Sequence, residues 1–225
     1  MDIELKRKAM IRSLMTPVVL AIPFFAAGTS DYWQAWLFII SFVGSVTWHS
    51  LFLMKCAPDL FERRMRAGPA AEKRLPQRII MSLVLLSFLA LFVLAGLDHR
   101  FGWSLLPAAL VFGADLLLVF SFFIFNKVCQ ENAFASATIE LAQDQHVIST
   151  GPYAVVRHPM YSGAVLLTLA MPLSLGSLWG LGILLVVIPS LVWRIVDEEK
   201  MLKEELKGYS EYCQKVRYRL IPGIY

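Results

Sequence analysis

Residues 158–193 read HPMYSGAVLLTLAMPLSLGSLWGLGILLVVIPSLVW, thirty-six positions without a formal charge. One continuous helix of that length would run more than about 50 Å at ~1.5 Å per residue. A bilayer core is only about 30 Å thick. Pro172, Gly176, Gly180 and Gly182 offer places to turn. A break near Gly176-Ser177 makes the run a helical hairpin with two short arms, and that reading sets the fold of the whole chain.

The rest of the sequence agrees with a membrane setting. The 225 residues are 57% hydrophobic and 17% charged, with a mean hydropathy of +0.61, whereas soluble domains are usually about 25% charged. Charges are absent between Arg12 and Asp31, between Asp31 and Lys55, and between Arg78 and Asp98; only Asp115 interrupts the stretch from Arg100 to Lys127. Uncharged runs of about 18 residues or more read as membrane helices. Six segments are expected, at roughly 13–30, 32–54, 79–97, 102–126, 160–175 and 177–194. With the N-terminus inside, 20 of the 21 Lys and Arg residues fall on the cytoplasmic side and Arg100 alone falls outside. This is the bias that orients membrane proteins. A single span in place of the hairpin would send the seven Lys and Arg residues from Arg194 onward to the far side. The expected fold is therefore an all-α polytopic membrane protein with about six membrane segments, the last two a hairpin, plus a C-terminal amphipathic helix. Both termini are cytoplasmic in this reading, and the compact chain leans toward a bacterial inner membrane.

Several other classes are excluded or weakened. Lys6-Arg7-Lys8 before an apolar run has the outline of a secretory signal. No small-x-small cleavage site follows it, however, and Tyr32-Trp33 opens another apolar run. The net charge of +4 and the basic stretch at 63–78 are topogenic and meet anionic headgroups, so they require no nucleic-acid partner. Cys56, Cys129 and Cys213 lack C-x-x-C spacing, which argues for reduced thiols and against a disulfide frame or a metal site. There is no G-x-G-x-x-G, Walker loop, H-E-x-x-H or G-x-S-x-G motif. A nucleotide-like cofactor would need a pocket built from helix ends and loops.

Polar chemistry collects in the last third. Gly151-Pro152-Tyr153-Ala154-Val155-Val156-Arg157-His158-Pro159-Met160-Tyr161-Ser162-Gly163 packs a cation, an imidazole, two prolines and two tyrosines into the mouth of the hairpin. Irregular backbone at a lipid boundary is costly unless it lines a buried site. Beyond the hairpin, Ile195, Leu202 and Leu206 form a stripe among charged residues, as in a helix leaving the membrane. Arg194 and Glu198 are four apart and so face the same way. Gly208 reads as a helix stop, with Tyr209, Tyr212 and Val216 on one face of a second short helix.

Taken together, G-P-Y-x-x-x-R-H-P-x-Y-x-G, a hydrophobic hairpin, R-x-x-x-E-E-x-x-L, G-Y-x-x-Y and a closing I-P resemble the isoprenylcysteine carboxyl methyltransferase family, itself related to membrane phospholipid N-methyltransferases. The matching positions are Gly151–Gly163, Arg194–Leu202, Gly208–Tyr212 and Ile221-Pro222, with Asn132 and Phe134 just before them. The resemblance covers residues 126–225, which divides the chain into N-terminal transmembrane helices at 1–125 and a methyltransferase-like region at 126–225. It implies S-adenosyl-L-methionine as cofactor and a lipophilic or small-molecule acceptor reached from the membrane, with prenylcysteine-type carboxyl methylation favoured over a thiol or amine. Under that implication Arg157 holds the cofactor carboxylate. Tyr153, Tyr161 and Tyr209 pack on adenine or face the sulfonium. Glu198 or Glu199 takes ribose hydroxyls or the ammonium, His158 donates to the cofactor, Pro159 fixes the entry into the helix, and Gly163 completes the cofactor motif. Arg194, positioned by Glu198, orients an anionic acceptor.

Structural alternatives stand beside each role. His158 caps a helix or bonds a carbonyl, and Tyr209 and Tyr212 are interfacial anchors. Asp115, mid-span, is either functional or a hydrogen bond between helices, and His49 is structural. A sterol-type membrane reductase using a nicotinamide cofactor, with a related C-terminal end, is the competing enzyme class; a non-catalytic membrane protein is the third.

Overall fold

Positions 3–65, 67–139, 141 and 144–225 are described by the computed structural model, with side chains from residue 14 onward. Eight α-helices and no strand occur among the described residues. They are α1 (Ile3–Ala27), α2 (Trp33–Cys56), α3 (Pro58–Arg64), α4 (Leu75–Phe101), α5 (Ala108–Glu131), α6 (Pro159–Ser174), α7 (Leu184–Glu205) and α8 (Tyr209–Lys215). The helices α2, α4 and α5 and the run Trp179–Glu205 are long and apolar enough to cross a membrane; Leu14–Ala27 and α6 are shorter apolar helices. Large apolar side chains cover the outside of the bundle, Phe25, Ile40, Leu86, Leu116 and Leu185 among them. The chain is a polytopic all-α membrane protein.

Small residues let the helices approach closely, as membrane bundles require where lipid gives no hydrophobic drive to associate. A Cβ on Gly163 of α6 would lie 2.7 Å from the Phe125 ring of α5, and one on Gly96 of α4 would meet the backbone and Ala26 of α1. The expected break in the long run occurs at Gly176, whose φ of +73° is left-handed and open to glycine at no steric cost. A short 3-10 turn at Trp179–Ile183 then leads into α7. Buried polar groups tie this turn to three other helices. Ser174 donates to Asp115 of α5 at 2.7 Å, Ser177 donates to Asp98 of α4, and the Tyr32 hydroxyl at the head of α2 donates to the Leu175 carbonyl. Asp115 thus forms the interhelical hydrogen bond that was one of its two readings.

At the opposite end the polypeptide folds back on itself. The helix α7 runs unbroken from the hairpin to Glu205, so the second arm and the charged helix beyond Arg194 are one element. After Gly208 at φ +87°, α8 turns back and packs Tyr209, Tyr212 and Val216 with Leu202 and Leu206 in one apolar cluster. The C-terminal strip then runs alongside the entry to α6. The backbone amides of Arg157 and His158 donate to the carbonyls of Tyr218 and Arg219, both at 2.9 Å.

Candidate functional site

The residues 157–161 and 194–199 meet where α6 begins and α7 leaves the bundle, and they do so through two separate polar networks. Glu199 is the hub of the first. Its Oε1 accepts from Arg157 Nε at 2.7 Å and lies 3.2 Å from His158 Nε2. Its Oε2 accepts from Arg219 Nε at 3.1 Å. Arg157 also donates through Nη1 to the carbonyls of Val216 and Arg217, both at 2.8 Å. Arg157, His158 and Glu199 are all buried, so the hub clamps the start of α6, the end of α7 and the C-terminal strip into one unit. A buried charge set of this kind is tolerable only with its partners in place.

The second network runs through Tyr161. Its hydroxyl donates to Glu198 Oε2 at 2.6 Å and accepts from Arg194 Nε at 3.0 Å. Arg194 and Glu198, expected to pair directly from their spacing, are instead bridged by this hydroxyl, which sits between their head groups. The other guanidinium nitrogens of Arg194 are also committed. Nη1 donates to Gln77 Oε1 at 2.7 Å and lies 2.8 Å from Glu72 Oε1, while Nη2 donates to the Ala137 carbonyl at 3.1 Å.

Both networks border a cavity of about 350 Å³, within the usual range for a small-molecule site. Its polar part is lined by Asn132, His146, Tyr153, Tyr209 and Tyr212, and its apolar part by Ile80, Val84, Phe125, Ala164 and Leu191 of the membrane helices. Arg157, His158, Tyr161, Arg194 and Glu198 line it as well. The tyrosines are fixed from behind: Asn132 Nδ2 donates to the Tyr153 hydroxyl at 2.8 Å, and the Tyr212 hydroxyl donates to the Tyr153 carbonyl at 2.7 Å. Burial pushes the hydroxyl pKa of Tyr153, Tyr209 and Tyr212 above the ordinary value, so all three are neutral phenols. The Tyr209 hydroxyl is buried and has no hydrogen-bond partner among the described residues. Burial likewise raises the Cys213 pKa, which keeps it a thiol and opposes a nucleophilic role.

Seven of the ten residues singled out from the sequence therefore reach the cavity. The other three lie outside its lining. Gly163 packs against Phe125, because the α5–α6 contact has no room for a side chain there. Pro159 occupies the first turn of α6. Glu199 has both carboxylate oxygens bound by the hub. The His158 side chain makes no capping bond; its ring points to Glu199. Reasoning from the sequence also left out Glu72 and Gln77, which hold Arg194, and positions 135–139 and 145–148, which form much of the wall. Gln77 carried one weak signal, an amide in the first turn of an otherwise apolar helix.

The all-α membrane bundle thus carries at one end a polar-and-aromatic cavity of small-molecule size. Residues 103–208 match the phospholipid methyltransferase family model. Over 134 residues, 53% of its length, the chain is also 32% identical to the Delta(14)-sterol reductase of Mus musculus, of which it covers 32%. The chain thus spans about a third of the length of that relative.

Proposed function

We propose that this chain is a S-adenosyl-L-methionine-dependent methyltransferase whose acceptor enters from the bilayer. The observation that carries the reading is the single cavity in which a tyrosine-rich polar part adjoins apolar walls from four membrane helices, with Tyr161 and Glu198 on its lining. A cationic, nucleoside-bearing cofactor and a lipophilic acceptor are the kind of pair that such a cavity suits.

The residues present fit the cofactor. The cavity volume suits a ligand of its size, the tyrosine faces offer stacking and cation–π attraction, and the buried Tyr209 hydroxyl awaits a partner. When bound, the cofactor supplies an electrophilic methyl group on a sulfonium, which departs as a neutral thioether. Tyr153, Tyr209 and Tyr212 would hold its aromatic end, and Arg157 has Nη2 left over for its carboxylate. Glu198, through the Tyr161 hydroxyl, gives negative potential beside the acceptor and a sink for a proton if the acceptor is an amine or thiol. Alignment of acceptor and methyl in a site closed to water supplies most of the rate gain.

The committed guanidinium of Arg194 bears on the acceptor. Its nitrogens are taken up by Tyr161, Gln77, Glu72 and Ala137, so it favours a structural post over an anchor for an anionic acceptor. The resemblance favours a prenylcysteine-type carboxylate, and the site chemistry leans toward a neutral or amine acceptor. We read the bundle as six segments, with both ends of the chain and the cavity facing the cytoplasm of a bacterial inner membrane. Residues 1–125 form the transmembrane platform for a catalytic region at 126–225.

Replacing Tyr209 tests the cofactor assignment. Tyr209→Phe is expected to weaken S-adenosylhomocysteine binding about tenfold, roughly the value of one well-made hydrogen bond, without lowering the melting temperature in detergent. Unchanged affinity would remove Tyr209 from the cofactor site. The similarity to a Delta(14)-sterol reductase keeps one second reading in view, a nicotinamide-dependent reduction in the same cavity.

A further inference from the structure

We infer that Glu72 and Gln77, outside the segment that matches the methyltransferase family, are positioning residues for the Tyr161–Glu198 pair and act through Arg194. The inference rests on the methyltransferase reading for its reaction, and on geometry for everything else.

Glu72 comes from the connection between α3 and α4 and is buried, with a side-chain exposure of 2%. A carboxylate is costly to bury without compensation, and the compensation here is Arg194 Nη1 at 2.8 Å together with the Ile139 amide, which donates to Oε2. Gln77 in the first turn of α4 accepts from the same guanidinium nitrogen and donates its amide to Asp197. Asp197 in turn accepts from Arg74 at 2.7 Å. The result is a frame of four groups around one cation, with Glu72 and Gln77 at Nη1, Ala137 at Nη2 and Tyr161 at Nε, while Asp197 holds Gln77 from behind. Neither Glu72 nor Gln77 lines the cavity. Arg194, Ala137, Ile139, Tyr161 and Glu198 all do.

The frame has a specific consequence. Arg194 and Glu198 are one helical turn apart, and residues at that spacing pair readily when nothing else claims them. Glu72 and Gln77 draw the guanidinium to the opposite side, leaving only Nε toward the site, where it meets the Tyr161 hydroxyl. That arrangement frees Glu198 to accept from Tyr161 and turns the phenol in one direction. Without Glu72, the cation is free to collapse onto Glu198 and cancel the charge that the reaction uses. The N-terminal platform therefore completes the site rather than merely holding it in the membrane.

Two double-variant cycles test this. In the first, thermal unfolding in detergent is measured for Glu72→Gln, Arg194→Met and the pair. Glu72→Gln is expected to lower the melting temperature by removing the ion-pair partner that Arg194 has in the frame, and Arg194→Met on top of it is expected to recover part of that loss. Additive losses would mean that the two side chains do not depend on each other and would overturn the inference. The second cycle combines Glu72→Gln with Tyr161→Phe. It follows radiolabelled methyl transfer from S-adenosyl-L-methionine to aminophospholipid vesicles and to a prenylcysteine. Glu72→Gln is expected to cut turnover at least tenfold in the native background and to do nothing further in the Tyr161→Phe background, while S-adenosylhomocysteine affinity stays within about twofold. Losses that multiply would make Glu72 an ordinary stabilising residue. If the unsubstituted protein binds no S-adenosylhomocysteine, the methyltransferase reading fails, and the first cycle still decides the frame.

Discussion

Glu199→Ala lowers the stability of the folded protein by about 3–5 kcal/mol, the usual effect of removing one member of a buried charge set. The carboxylate is 3% exposed and holds Arg157, His158 and Arg219 at 2.7, 3.2 and 3.1 Å. Arg157 remains 7% exposed and would keep only the carbonyls of Val216 and Arg217 as partners. Carbonyl dipoles do not neutralise a buried cation. Thermal unfolding in detergent is the measurement, and a melting temperature equal to that of the unsubstituted protein would contradict the hub. Glu198→Ala provides the contrast, because among the described residues its carboxylate binds only the Tyr161 hydroxyl and its loss leaves Arg194 with Glu72. The two adjacent glutamates divide the work, one holding the architecture and one facing the cavity.

Tyr161→Phe is expected to reduce methyl transfer about 100-fold, the scale on which misplacement of a reacting group by an ångström is felt. The ring would keep its contact with the His158 imidazole, 5.6 Å between centroids. Only the hydroxyl goes, and with it the bridge between Arg194 and Glu198. S-adenosylhomocysteine affinity is expected to hold, since the tyrosines at 153, 209 and 212 and the Arg157 guanidinium are untouched. Transfer to aminophospholipid vesicles or to a prenylcysteine, compared with affinity by calorimetry, separates the two effects. A parallel loss of turnover and affinity would make Tyr161 a cofactor contact and nothing more.

Much of this architecture was legible in the sequence, for physical reasons that differ from one element to the next. A thirty-six-residue uncharged run is too long for one span, and Gly176 is the residue able to take the left-handed turn that follows, so the hairpin could be located to within a residue or two. Leu202 and Leu206 on one stripe, and Tyr209, Tyr212 and Val216 on the face of a second short helix, foretold the apolar cluster in which α8 packs back on α7. The motif at 151–163 and the Arg194–Glu199 segment do come together around one cavity. What spacing could not supply was the partner of each charge. Glu198 and Glu199 are neighbours in sequence, and only the rotation of α7 against α6 decides which of them joins the hub. Arg194 stands four residues from Glu198, yet its head group is claimed by Glu72 and Gln77, more than a hundred residues away. Gly163 belongs to a motif and yet answers to a packing constraint. Long-range pairing of this kind is set by tertiary contacts, which local periodicity does not encode.

Calorimetry of S-adenosylhomocysteine and of NADPH against the same detergent-purified protein tests the central claim most directly, because the two readings of the cavity differ in their cofactor. Binding of S-adenosylhomocysteine with no heat from NADPH is the result expected of a methyltransferase. Binding of NADPH alone would contradict it and assign the cavity to the reductase chemistry named for the mouse relative.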